Sequence, residues 1–78
     1  MLLQKLNYHS KLRKKKRNLE MKVLELEQQI ARDELTIAEQ KTKNPINWDS
    51  LIRAIDDKAI NERRLTQLQA LQKELFGE

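Results

Sequence analysis

The chain has 78 residues, a net charge of +4, no Cys, one Gly, one Pro and one residue each of Trp, Tyr and Phe. The lack of Cys excludes a disulfide framework, a thiolate zinc site and a catalytic thiol, and so few turn and aromatic residues argue against a β-sandwich or barrel. A charged fraction of 36% is typical of long helices or a coiled coil, and a chain of this length has little core of its own.

The N-terminal segment "MLLQKLNYHS" lacks the apolar core of a secretory signal, and no run of 18 apolar residues follows anywhere in the chain. A mitochondrial presequence is an alternative, because residues 1–19 hold no acidic residue. However, the cations are mostly Lys and Ser is scarce, which is atypical of such leaders. We therefore expect a cytoplasmic protein that does not span a membrane.

Residues 9–20, "HSKLRKKKRNLE", contain a basic run. Residues 1–20 hold seven Lys or Arg and one acid, whereas 21–43 and 44–78 each carry a net charge of −1. Such a run attracts phosphates or an acidic protein surface, or it is only a solvated helix end. No zinc-finger or RNA-recognition signature accompanies it, and Tyr8 alone makes a poor stacking platform. The predicted contacts to an acidic partner or to nucleic acid are Lys11, Arg13, Lys14, Lys15, Lys16 and Arg17.

A first helix is predicted over about 2–42, a stretch without Pro or Gly. Six apolar residues fall within about 60° of one another on the helical count, which indicates a coiled-coil seam. They are Leu12, Leu19, Val23, Leu26, Ile30 and Ile37. A weaker apolar line, formed by Leu2, Leu6, Leu24 and Leu35, lies ~100° or more around the helix. One partner helix could not cover both lines.

The segment "KTKNPINWDS" breaks the helix. Asn44 precedes Pro45 and is disfavoured in helical geometry, while Asn44 or Asn47 could cap a second helix whose first turn holds Asp49. We predict a turn over about 43–47 and a helix over about 48–76, ending before Gly77. So short a connection favours an antiparallel αα-hairpin, one domain over 1–78.

The second helix has two apolar faces separated by the polar insert "NERR". Trp48, Leu51, Ile52, Ile55 and Ala59 share one face, and the later leucines lie well over 90° away on the helical count. One irregular core would explain the pattern, but we favour a helix that serves two partners, because a lone hairpin has too little core.

A turn centred near residues 45 and 46 predicts the register of the hairpin. It places Ile37 opposite Ala54 and Ile55, Ile30 opposite Asn61 and Val23 opposite Leu68. The first helix would overhang the second by ~20 Å at 1.5 Å per residue. The overhang would leave Leu2, Leu3, Leu6 and Leu12 unpartnered, as an interface or as a frayed terminus.

Catalytic constellations are missing from the sequence. His9 has no second His or Cys nearby to share a metal, and Asp56 and Asp57 beside Glu34 would have no pocket to shift their pKa. Trp48 at the hairpin tip is either a staple that closes the turn or an interface anchor. We therefore expect no enzyme activity and no cofactor or metal.

The sequence thus predicts an all-α fold, an antiparallel two-helix hairpin completed by dimerisation or by a partner helix. The leading function is a non-catalytic interaction module, such as an adaptor, assembly factor or chaperone-like subunit, with a basic end for acidic partners. The alternative is a nucleic-acid-binding protein that contacts phosphates through residues 11–17, and membrane-surface association ranks third. The predicted partner-binding residues are Leu2, Leu3, Leu6, Trp48, Leu65, Leu68, Leu71 and Leu75.

Overall fold

The computed structural model describes residues 2–77, with side chains over 11–77. Two helices, α1 (Leu2–Thr42) and α2 (Trp48–Phe76), pack against each other. They run antiparallel, since Asp33 in the second half of α1 contacts Asn61 in the middle of α2 while Asn18 lies near Phe76. The described residues form no strand. The all-α fold of two packed helices is therefore confirmed.

The turn over residues 43–47 separates the helices and caps the second one. Of the two predicted caps, Asn47 fills the position: it has extended dihedrals (φ −86°, ψ 98°), and its side-chain oxygen accepts a hydrogen bond from the Ser50 N–H. Asp49 lies in the first turn of α2, where a carboxylate stabilises the helix dipole. Pro45 lies within the turn, after a cis peptide bond to Asn44, and not in the first turn of α2.

Gly77 ends α2 in the left-handed conformation, with φ of 71°. Its N–H donates to the Lys73 carbonyl at 2.9 Å, which satisfies one of the free carbonyls of the last turn. A side chain at this position would meet no neighbouring atom within 4 Å. Gly is therefore used here for its backbone freedom.

The seam between the helices follows alternating steps of three and four residues on both of them. All six residues of the predicted seam on α1 are half-buried. The same spacing adds three polar members on α1: Lys16, Asp33 and Gln40. On α2 the covered positions with this spacing are Leu51, Ala54, Lys58, Asn61, Leu65, Leu68 and Gln72, and Ser50 and Phe76 are half-buried outside it. The insert "NERR" thus contributes Asn61 to one continuous seam. The predicted division of α2 into two apolar faces did not include this polar member.

The most buried part of the described molecule is polar as well as apolar. Leu51 and Ala54 are 6% and 7% exposed, and Asp33 is 8% exposed. The Asp33 carboxylate accepts hydrogen bonds from the Asn61 side-chain amide (2.8 Å) and from the Gln29 amide (3.0 Å). Asn61 therefore pairs with Asp33, and Lys58 pairs with Glu34, so these contacts are displaced from the predicted register by three residues and by one residue of α1.

The hairpin is a rod with principal-axis extents of 67 × 17 × 16 Å. Helix α1 has 41 residues and α2 has 29, so α1 extends ~18 Å further at 1.5 Å per residue. The turn closes one end of the rod, and the other end is open. Leu2, Leu3 and Leu6 belong to the open end but lie outside the residues whose side chains are described.

Candidate functional site

The six residues of the basic run lie near the N-terminal end of α1, and most of their side chains face solvent. Lys11, Arg13, Lys14, Lys15 and Arg17 are exposed. Lys16 occupies a seam position and is half-buried. The run therefore presents charge around most of the helix circumference at the open end, and one of its six cations, Lys16, is half-buried.

Five exposed large apolar side chains, here called the apolar flank, lie on the outer faces of the two helices: Leu24 and Leu35 on α1, and Trp48, Ile52 and Ile55 on α2. Their exposed fractions are 53%, 65%, 64%, 54% and 44%. The α2 members follow steps of four and three, so they share one face, and the two α1 leucines are about three turns apart on one face. On the helical count Leu35 lies about 180° from the seam and faces away from α2, so the grouped part of this set is the α2 row.

A basic groove lies on one side of the seam. It has a volume of about 600 Å³, and Leu26, Leu68 and Leu71 supply its apolar lining. A smaller groove of about 320 Å³ continues toward the open end, where Leu19, Leu75 and Phe76 contribute. Both grooves share Lys22 and Leu68, so together they form one channel between the helices.

Cations border this channel. Lys15, Lys22, Arg32 and Arg64 line the two grooves, and Glu25 is the one acid among their described lining residues. Within residues 11–77, none of these four cations forms an ion pair with a carboxylate. The flank of α1 on the other side of the seam carries Glu20, Glu27 and Glu34 at seven-residue spacing. The hairpin is thus basic on its groove side and acidic along α1 on the opposite side.

The predicted partner-binding residues divide between exposed positions and the seam. Trp48 is 64% exposed, so it does not close the turn as a buried staple, and Leu71 and Leu75 are 42% and 62% exposed. Leu65 and Leu68 are half-buried at seam positions facing α1. Leu65 and Leu68 therefore hold the two helices together, although Leu68 also lines the groove.

The three carboxylates considered for acid–base chemistry, Glu34, Asp56 and Asp57, have the surroundings of ordinary surface charges. Glu34 forms an ion pair with Lys58 at 3.5 Å, and Lys58 also contacts Glu62 at 3.5 Å. Asp56 and Asp57 are exposed. Among the described residues no three His, Cys, Asp or Glu side chains are grouped to hold a metal, and neither helix has an apolar stretch long enough to cross a bilayer. The His9 side chain falls outside the described set.

Sequence reasoning missed two features of these surfaces. The Asp33 site could have been found by counting in sevens from Leu12 through Leu19 and Leu26, which arrives at residue 33. The groove cations Lys22, Arg32 and Arg64 gave no comparable signal. They are distant in sequence, and only the observed register brings them to one side of the hairpin.

Comparison with known proteins found no relative of this chain. No protein family matches the chain, and neither a curated protein nor a solved structure is similar to it.

Proposed function

We propose that this protein is a non-catalytic helical interaction module, in which the hairpin presents apolar helix faces to another protein and its basic end steers acidic partners. The observation that carries the proposal is the apolar flank: five large side chains are 44–65% exposed, whereas Leu51 and Ala54 are the buried apolar residues of the described chain. Grouped exposed apolar side chains on a small domain mark interaction surfaces, and Trp48, Ile52 and Ile55 form such a group on α2.

The total surface area supports the same proposal. The hairpin exposes 6838 Å², whereas a compact monomer of its mass, 9.3 kDa, would expose about 5,000 Å². The excess, roughly 1,800 Å², exceeds the ~800 Å² that each partner buries in a standard-size protein interface. A partner helix or a second hairpin on one flank would remove apolar surface that the chain cannot cover by itself.

Photo-crosslinking in cells tests this function. A photoreactive residue replacing Leu35 or Ile52 should give a discrete adduct, either with another copy or with a different protein. The matched control replaces Asp57, an exposed polar residue of the same rod that lines neither groove. Adducts from both apolar positions and none from the control would support the module. If neither apolar position yields more adduct than the control, the proposal is wrong.

A second candidate function, phosphate contact by the basic run, is favoured by the exposure of Lys11, Arg13, Lys14, Lys15 and Arg17. Phosphate neutralisation releases counterions, so binding would fall steeply with salt. Fluorescence anisotropy of labelled DNA and RNA at low and near-physiological salt measures this. Replacing the exposed Lys14, Lys15 and Arg17 together by Gln should abolish binding while helicity stays unchanged. Binding that disappears at physiological salt would leave only a non-specific charge effect.

A further inference from the structure

The basic groove has the dimensions of a helix-binding site. Its residues extend along α1 from Lys15 to Arg32, which is about 25 Å at 1.5 Å per residue. A helix of about 17 residues has this length. The groove is bounded by two packed helices, so a third helix would lie in it as in a helical bundle, with its axis ~8–10 Å from each neighbour.

The lining of the groove specifies an amphipathic occupant. Leu19, Leu26, Leu68 and Leu71 form an apolar strip along the channel, and such a strip suits the apolar face of a helix. A nucleic-acid backbone would gain nothing from this strip, because phosphates and sugars are polar. The apolar lining therefore distinguishes the groove from the basic run, whose exposed residues offer charge alone.

The border of the groove specifies the charge of that occupant. Lys15, Lys22, Arg32 and Arg64 face one acid, Glu25, among the described lining residues. Since these four cations form no ion pair within residues 11–77, their charge is available to a partner. Complementary charges orient a partner and suppress wrong ones, as at the edges of a coiled coil.

From this lining and this border we infer that the groove binds an acidic amphipathic helix of another protein, with leucine-like residues against Leu26, Leu68 and Leu71 and carboxylates against Lys22 and Arg64. The inference rests on the proposed interaction function and names the chemistry of one partner. The partner helix would complete a three-helix bundle, and the basic run at the open end would attract its acidic surface before docking.

A pair of matched peptides tests the inference. Each is a helix of about 17 residues with Leu at the a and d heptad positions, and one carries Glu and the other Lys at e and g. Like charges at e and g keep each peptide from pairing with itself. Titration with the full chain should show about tenfold or tighter binding of the Glu peptide relative to the Lys peptide.

Charge reversal then assigns the binding to the groove. The double variant Lys22→Glu with Arg64→Glu should lose the preference for the Glu peptide and gain affinity for the Lys peptide. Its matched control is Glu20→Lys with Glu27→Lys on the opposite side of the seam, which should not weaken binding of the Glu peptide. If the groove variant binds the Glu peptide like the original chain, or if both peptides bind equally, the inference is wrong.

Two further outcomes would replace the occupant. If the chain is a dimer by sedimentation equilibrium and Leu71→Glu makes it monomeric, a second copy fills the groove. If Lys22→Glu with Arg64→Glu abolishes nucleic-acid binding that survives physiological salt, the groove serves nucleic acid. Either result overturns the acidic-helix inference. The apolar flank is tested separately by crosslinking from Leu35 and Ile52, so the interaction function can stand when the groove inference fails.

Discussion

Removing the side-chain amide of Asn61 should destabilise the hairpin more than the replacement of an ordinary exposed polar residue does. In Asn61→Ala, the buried Asp33 carboxylate loses the donor at 2.8 Å and keeps only Gln29 at 3.0 Å. A hydrogen bond to a charged group contributes about 1.5–3 kcal/mol, and leaving a buried acceptor unpaired costs a similar amount. Because Asn61 is only half-buried, we expect a loss of ~2 kcal/mol.

A double-mutant cycle separates the pair from its surroundings. Asp33→Ala should cost about the same as Asn61→Ala, and the double Ala variant should cost less than the sum by ~1 kcal/mol, since the two residues are hydrogen-bonded. Replacing both with Leu should restore or raise stability, because apolar substitutes for a buried polar pair are often neutral or stabilising. The Leu pair would keep the seam but lose the contact that sets the register.

Thermal unfolding followed by circular dichroism at 222 nm measures these differences. For a domain of this size 1 kcal/mol shifts Tm by ~4–8 °C, so Asn61→Ala should lower Tm by about 10 °C. Gln69→Ala, on an exposed face of α2, is the control and should shift Tm little. An Asn61→Ala protein that melts within ~2 °C of the original, or strictly additive Ala effects, would show that the Asp33 contact does not fix the hairpin.

Three further predictions concern burial in the seam and the two ends of α2. Urea unfolding measures the change in the free energy of unfolding for each of them. Leu51→Ala, at 6% exposure, should cost about 2–4 kcal/mol, whereas Ile52→Ala, at 54% exposure, should cost under ~1 kcal/mol; equal costs would contradict the assigned seam. Asn47→Ala should cost ~1 kcal/mol through loss of the cap to the Ser50 N–H, and an unchanged midpoint would contradict that cap. Gly77→Ala should cost about 1 kcal/mol from its positive φ alone, since the added methyl group meets no atom, and a stabilised variant would refute this reasoning.

The elements of this fold could be predicted because their signals are local. Pro45 ends the first helix pattern, Asn47 has the side chain of a cap, and Gly77 can adopt a positive φ. The apolar steps from Leu12 to Ile37 indicate one seam on α1. Each of these inferences depends on residues within a few turns of one another.

The α2 side of the seam and the register of the two helices could not be predicted in the same way, because they depend on long-range polar contacts. Lys58 and Asn61 interrupt the apolar pattern of α2, although both occupy seam positions. Their partners, Glu34 and Asp33, lie more than 20 residues away in sequence. The displacement of these contacts from the predicted register, by one residue at Glu34 and three at Asp33, comes from polar pairing that apolar periodicity alone does not contain.

The interaction surfaces could be predicted only in part from the sequence, for a related reason. Exposed apolar residues such as Trp48, Leu71 and Leu75 were identified from the pattern. The groove needs both helices in their observed register before Lys22 and Arg64 face the same channel. A charge on one helix says little about a groove until its neighbour across the seam is known.

The elongated shape has a consequence for measurements of size in solution. The radius of gyration is 18.4 Å, whereas a compact chain of 78 residues would have ~11.5 Å. By the same scaling, 18.4 Å belongs to a compact chain of about 270 residues. A single hairpin would therefore resemble a compact trimer in small-angle scattering if its dimensions alone were considered. Absolute mass, from forward scattering intensity or sedimentation equilibrium, is the quantity that distinguishes one rod from an assembly.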